Sequence, residues 1–189
     1  MIKIGILGDI GSGKSYIAKN FGYPVFNADE EVAKIYKKNR KIFRKLKKVL
    51  PKYFNSFPIN KNNVTRAILA NKNNLTKIIQ VVHIEVRKKL KIFLKKNNSK
   101  KVVILDIPLL LENKLNNKRD ILIFVQSKKT EILKRLKKRK NFNYELIKKF
   151  RNMQLSLDIK KKRSNFIIKN DFTNKTIKNN INKILKIIL

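Results

Sequence analysis

Residues 8–15, Gly8-Asp9-Ile10-Gly11-Ser12-Gly13-Lys14-Ser15, fit the pattern G-x-x-x-x-G-K-[ST], a loop built to hold phosphate. Glycine lets the backbone wrap closely with its N–H groups turned inward, and a helix starting at the end of the loop adds partial positive charge. Lys14 then reaches the β- and γ-phosphates, and the Ser15 hydroxyl binds Mg²⁺. The pattern predicts a nucleoside triphosphate site contacted by Gly8, Ile10, Gly11, Ser12, Gly13, Lys14 and Ser15, with Tyr16, the residue next to it, as a further candidate contact. It does not say where the γ-phosphate goes, since motors, GTPases and small-molecule kinases share it. GTPases read guanine through an N-K-x-D tetrapeptide. On the reading that no such tetrapeptide appears, that class is set aside, and the length and a basic, lid-like pair of helices suit a nucleotide-kinase-like enzyme.

A phosphate loop needs a strand before it and a helix after it. The apolar run Ile2–Leu7 predicts a buried first strand, Ser15–Phe21 has helical character, and Val25-Phe26 reads as a second strand running into Asn27-Ala28-Asp29. Strand, helix, strand implies a parallel pair with a right-handed crossover and ligand-facing ends at Gly8 and Asp29. Asp29 is therefore a candidate general base for an attacking hydroxyl, or else the N-cap of the helix that follows it. From Asp29 to about Lys96 the chain reads as helical, with breaks near Pro51, Pro58, Asn62 and Asn73. Apolar residues from Leu75 to Phe93 recur every three or four positions, predicting one long amphipathic helix with His83 and Arg87 one turn apart.

Val102–Ile107 reads as a central strand covered on both faces and ended by Pro108. Asp106 sits where a carboxylate reaches Mg²⁺ directly or through water. Ile121–Val125 and Phe166–Ile168 are further strands, and a final helix begins at about Thr173. Basic helices run from Lys128 to Arg139 and on to Gln154. Arg135 and Arg139, one turn apart, suit a lid that closes over ATP. No repeat of fixed period is visible.

At 189 residues, 42% of them hydrophobic and spread in separate runs, the chain fits one domain with a packed core. No apolar stretch nears the roughly 20 residues of a membrane span, and the start lacks a signal-peptide layout. A cytoplasmic protein with no membrane partner is expected. Without cysteine, disulfides and thiolate metal sites are excluded. Lys+Arg 48 against Asp+Glu 12 gives a net charge of +36, which on its face suggests nucleic acid. The excess is mostly Lys, accompanied by many Asn and Ile, and is scattered through every segment. That is the mark of A- and T-rich codons rather than of an Arg-built contact surface. No specific nucleic-acid partner is expected, only non-specific polyanion binding.

Together these residues resemble the dephospho-coenzyme A kinase family over nearly the whole chain. The opening Gly5–Ser15 is similar to that family's extended phosphate loop, and Asn27-Ala28-Asp29 stands for its Asp-Ala-Asp. His83-Ile84-Glu85-Val86-Arg87 resembles its His-Pro-x-x-Arg, and Pro108-Leu109-Leu110-Leu111-Glu112 its Pro-Leu-Leu-Phe-Glu. Arg135, Arg139, Arg151 and Gln154 are similar to its lid and following helix, and Ile168-Lys169-Asn170 to its late Ile-x-Asn. The resemblance implies an α/β phosphate-loop NTPase fold, a parallel sheet flanked by helices. Its core would be residues 1–28, 101–127 and 164–189, with a helical acceptor-binding region at about 29–97 and a lid at about 128–155. ATP and Mg²⁺ are the implied cofactors, and dephospho-coenzyme A the substrate. Lys14 and Asp29 would be catalytic, Asp29, His83, Arg87, Pro108 and Leu109 would bind substrate, Arg135 and Arg139 the nucleotide, and Ser15 and Asp106 the metal. Glu112 reads as a residue that holds structure or orients a neighbour. The rivals are another small-molecule or nucleoside monophosphate kinase of the class, and a basic nucleic-acid-associated ATPase.

Several departures from the family pattern matter: Asp9 replaces Gly, Tyr16 Thr, Asn27 the first Asp, Ile84 Pro, and Asn165 Asp. Asp9 matters most. A carboxylate beside bound phosphates is repelled unless it turns outward or pairs with a cation.

Overall fold

In chain order the computed structural model, which describes residues 1–139 and 142–189, forms β1 (Ile2–Gly8), α1 (Lys14–Asn20), β2 (Val25–Asn27), α2 (Ala28–Lys38), α3 (Arg40–Val49), α4 (Lys61–Ala70) and α5 (Lys72–Lys96). There follow β3 (Val102–Asp106), β4 (Ile121–Gln126), α6 (Lys129–Lys137), α7 (Tyr144–Asn152), α8 (Leu157–Lys162), β5 (Phe166–Lys169) and α9 (Asn174–Ile188). The chain divides into two compact units. One holds Met1–Asn27, Asn97–Asn143 and Phe150–Leu189, and the other holds Ala28–Lys96 and Tyr144–Lys149.

The first unit is built on a sheet in the order β2-β3-β1-β4-β5, with every described pairing parallel. The crossover from β1 to β2 skips one place, and β3 fills it, where a directly adjacent pair is the simplest expectation. All five residues of β3 are buried, so this most apolar strand takes an inner position, while the three-residue β2 lies at the edge. One face of the sheet presents Ile4, Ile6, Ile104, Ile123 and Ile168 to Ile17 and Ala18 of α1 and Ile177 and Ile181 of α9. On β1 the alternate position is Gly5, where a Cβ would strike Leu110 and come within 2.9 Å of Leu122. A larger residue would displace both leucines and lift the strand.

In the second unit α2, α3 and α4 pack on α5, the long helix that the apolar periodicity predicts. Its register buries Leu75, Ile78, Val82, Val86 and Leu90. The breaks expected near Asn62 and Asn73 fall two residues earlier. Asn60 Oδ1 accepts the Asn62 N–H and Asn71 Oδ1 accepts the Asn73 N–H, both at 2.8 Å. A short amide at these points satisfies a backbone donor that the new helix leaves open. Asn39 does the same for Ile42 at 3.0 Å and divides α2 from α3, a break the apolar pattern does not reveal. At Ile84, where the family pattern has Pro, α5 continues without interruption.

The basic stretch from Lys128 resolves into α6 and α7. The expected lid range of about 128–155 includes residues 140 and 141, which lie outside the described residues. α8 is an unanticipated helix, capped by Ser156 Oγ accepting the Ile159 N–H at 3.3 Å.

Candidate active site

Loop residues 9–13 join the end of β1 to the start of α1. Gly13 has φ +93°, a left-handed backbone, and a Cβ there would lie 2.5 Å from Asn170 Nδ2. That amide nitrogen donates to Ser12 O at 2.8 Å, and Ser127 Oγ donates to the same carbonyl at 2.9 Å. Asn170 is itself fixed: its backbone N–H donates to Gln126 O at 2.8 Å and its Oδ1 accepts the Phe172 N–H at 2.8 Å. The ends of β4 and β5 therefore hold the loop from behind, and α6 supports it at Gly11, where a Cβ would meet Leu136 at 2.9 Å. Lys14 Nζ donates to Gly8 O at 3.2 Å and Asp9 O at 2.7 Å, so the ammonium is held against the loop's own backbone.

Asp9 does not stand alone. Its Oδ2 accepts from Arg151 Nη2 at 2.8 Å, its Oδ1 accepts from Arg151 Nε at 3.1 Å, and Oδ1 also takes the Ile10 N–H at 2.7 Å. The cation that a carboxylate in this loop requires is thus supplied 142 residues away.

At the end of β3, Asp106 is buried, and its Oδ2 accepts from Asn27 Nδ2 at 2.6 Å. Asn27 lies beside it in register on β2. Among the described residues no group of three or more His, Cys, Asp or Glu could hold a metal by itself. Mg²⁺ does not need one. It is usually held by one or two protein oxygens, with substrate phosphates and water completing the shell. The hard oxygens of Ser15, exposed in the first turn of α1, and of Asp106 fit that donor set.

Arg135 lies over the Phe172 ring, with Cζ 4.3 Å from the ring centroid, and Arg139 is exposed beyond the end of α6. The Tyr16 hydroxyl donates to Asn174 Oδ1, tying α1 to the start of α9. Nearby, hydrogen bonds led by the Thr173 N–H hold the Asp171 carboxyl below its usual value. Glu112 holds structure. Its Oε1 accepts from Lys160 Nζ at 3.0 Å and from the Leu155 N–H at 2.8 Å, while Gln154 Oε1 takes the same ammonium at 2.7 Å. Pro108 and Leu109 are half-buried just after β3.

The second unit carries the remaining candidates. Asp29 is exposed and is the second residue of α2, inside the first turn, so the N-cap alternative is corrected: the helix already includes Ala28. Its carboxylate stands with Glu30 and Glu31 at the positive end of the helix dipole. His83 is half-buried and Arg87 exposed on α5, the helix against which α2 packs.

The sequence model of dephospho-CoA kinase matches residues 2–176. The chain belongs to the dephospho-CoA kinase family. A dephospho-CoA kinase of Wolbachia pipientis wMel is 33% identical over 170 residues, which cover 87% of each chain. A Thermus thermophilus protein of known crystal structure matches with TM-score 0.77 and 25% identity over 100% of this chain and 98% of that one. A dephospho-CoA kinase from Campylobacter jejuni matches with TM-score 0.64 and 22% identity, covering 98% and 96%, and bears on the fold.

Membership of the dephospho-CoA kinase family bears on one correction. The guanine-reading letters N-K-x-D do occur, as Asn117-Lys118-Arg119-Asp120, so the sequence alone does not dispose of a GTPase. The fold does. The tetrapeptide precedes β4, whose first residue pairs with Ile4, whereas the phosphate loop follows Gly8 at the other end of the parallel β1. Four residues of strand put roughly 13 Å between those levels. Asp120 instead accepts the Asn117 N–H at 2.8 Å and faces Lys3 at 4.0 Å. Of the residues that sequence reasoning missed, Ser127, Phe172 and Lys160 gave no local signal. Asn170 was marked only by its place in the Ile-x-Asn segment.

Proposed function

We propose that this chain transfers the γ-phosphoryl group of ATP to the ribose 3′-hydroxyl of dephospho-coenzyme A, giving coenzyme A and ADP in the last step of coenzyme A biosynthesis. The observation that carries the reading is the phosphate loop itself, with Lys14 folded onto Gly8 and Asp9 and the loop locked by Asn170, in a chain of this family. Lys14 and the loop N–H groups hold the phosphates and take up charge that develops on the transferring group. Asp29 accepts the 3′-hydroxyl proton as that oxygen bonds to the γ-phosphorus, and the bond to the β–γ bridging oxygen breaks with its electron pair leaving on ADP. Arg87 suits a bidentate grip on an acceptor phosphate, with His83, Pro108 and Leu109 as further acceptor contacts. Arg135 and Arg139 serve the closing lid, about 128–155, over a core of 1–28, 101–127 and 164–189, and the acceptor region spans about 29–97. Ser15 and Asp106 would hold Mg²⁺, which when bound would supply charge neutralisation at the phosphates.

No helix among the described residues is long and apolar enough to cross a membrane. We place the enzyme in the cytoplasm, with small molecules as its specific partners and no nucleic acid among them.

The test is an acceptor panel with Mg·ATP and, separately, dephospho-coenzyme A, AMP, CMP and shikimate, following ADP release and product mass. Dephospho-coenzyme A alone should be phosphorylated, with Lys14→Ala and Asp29→Asn each lowering kcat by roughly 10²-fold or more. Transfer to a different acceptor would keep the kinase class and remove the substrate.

A further inference from the structure

Asp9 is the loop residue that the family pattern does not account for. Its side chain is 14% exposed and that of Arg151 41%. The two meet as a fork on a carboxylate, with Nε and Nη2 of one arginine on separate oxygens at 3.1 and 2.8 Å. A fork of this kind fixes orientation as well as charge. The carboxylate also closes on the Ile10 N–H, and the carbonyl of the same residue holds Lys14 Nζ at 2.7 Å. One residue therefore links the arginine at the end of α7 to the backbone that positions the phosphate-directed lysine.

We propose that Arg151 is a positioning residue that acts on nucleotide affinity through Asp9, neutralising the carboxylate and pinning it to the side of the loop so that a triphosphate can enter. The carboxylate takes the place of the glycine found in the family pattern, and Arg151, a residue that matches that pattern, becomes its partner. The physical demand runs one way. A glycine at position 9 needs no partner, whereas a carboxylate there repels a triphosphate by an amount that one neighbouring charge makes up. An arginine that instead gripped the nucleotide directly would matter equally whatever stood at position 9.

This inference rests on the reading of the loop as an ATP site. The test is a double-mutant cycle on the Kd of Mg·ATP, measured by equilibrium dialysis, with unaltered protein, Arg151→Ala, Asp9→Gly and Asp9→Gly/Arg151→Ala, and Lys14→Ala as the control for the site. Arg151→Ala should weaken binding on the order of tenfold when Asp9 is present, the worth of one exposed-side charge interaction. Asp9→Gly alone should shift it by less than about threefold, and the double variant should return to within about threefold of the unaltered protein. Arg151→Lys, which keeps the charge without the fork, should fall between. Simple loss of folding cannot produce recovery in the double variant. Equal weakening by Arg151→Ala with Asp9 in place and in the Asp9→Gly background, or none in either, would overturn the proposal while leaving the ATP site standing. Failure of the unaltered protein to bind Mg·ATP would overturn the site and the proposal together.

Discussion

Asn27 and Asp106 show how one substitution changes the demands of a site. Both are buried, 9% and 3% exposed, and the amide donates to the carboxylate at 2.6 Å. An Asp at position 27, as in the family pattern, would set two carboxylates at that distance, and one would be driven to protonate unless a cation lay nearby. Asn27→Asp is expected to destabilise the protein by about 1–3 kcal/mol in EDTA, with part of that loss recovered in millimolar Mg²⁺. Thermal unfolding with and without Mg²⁺ checks it, and a loss that Mg²⁺ leaves unchanged would argue against a metal beside Asp106. At this scale the sequence is legible where backbone geometry dictates the letter. Gly13 must be Gly because its φ is positive and Asn170 occupies the space of its Cβ. It is illegible where a partner is remote, and nothing local to Asp9 points to Arg151.

Among the elements, strands and long helices follow from apolar period, so β1, β3, β4, β5 and α5 are readable as written. Their arrangement is less so. Pairing of β3 between β1 and β2 is decided by which strand needs cover on both faces, a property of the whole sheet. Short polar caps such as Asn39 and Ser156 decide α3 and α8 with a single hydrogen bond each, too small a signal to read against an Asn- and Ser-containing background. The contact between Glu112 after β3 and Lys160 of α8 is another such pairing. Lys160 is 1% exposed, so removing only its carboxylate partner strands a buried charge. Glu112→Ala should cost about 3–5 kcal/mol in urea unfolding, while Glu112→Leu/Lys160→Met should lie within about 2 kcal/mol of the unaltered protein. Equal losses in both variants would mean that the charges themselves are needed there.

For the molecule as a whole, the charge of +36 is its most conspicuous property and the least informative about its chemistry. Lysines present in every described helix attract polyanions without arranging a site. Binding to single-stranded RNA should therefore fall steeply between 50 and 200 mM salt, by roughly 10³-fold or more if several phosphates are contacted, and RNA should not raise ATP turnover. Salt-resistant binding with stimulated turnover would favour the nucleic-acid ATPase alternative. One bond defines the proposed reaction, the ester formed between the γ-phosphoryl group and the ribose 3′-hydroxyl. Its most direct test is ³¹P NMR of the complete reaction of the protein with Mg·ATP and dephospho-coenzyme A. A new phosphomonoester resonance coupled to the ribose H3′ is expected, growing in step with ADP. Growth of inorganic phosphate alone, or a monoester coupled to any other position, would contradict it.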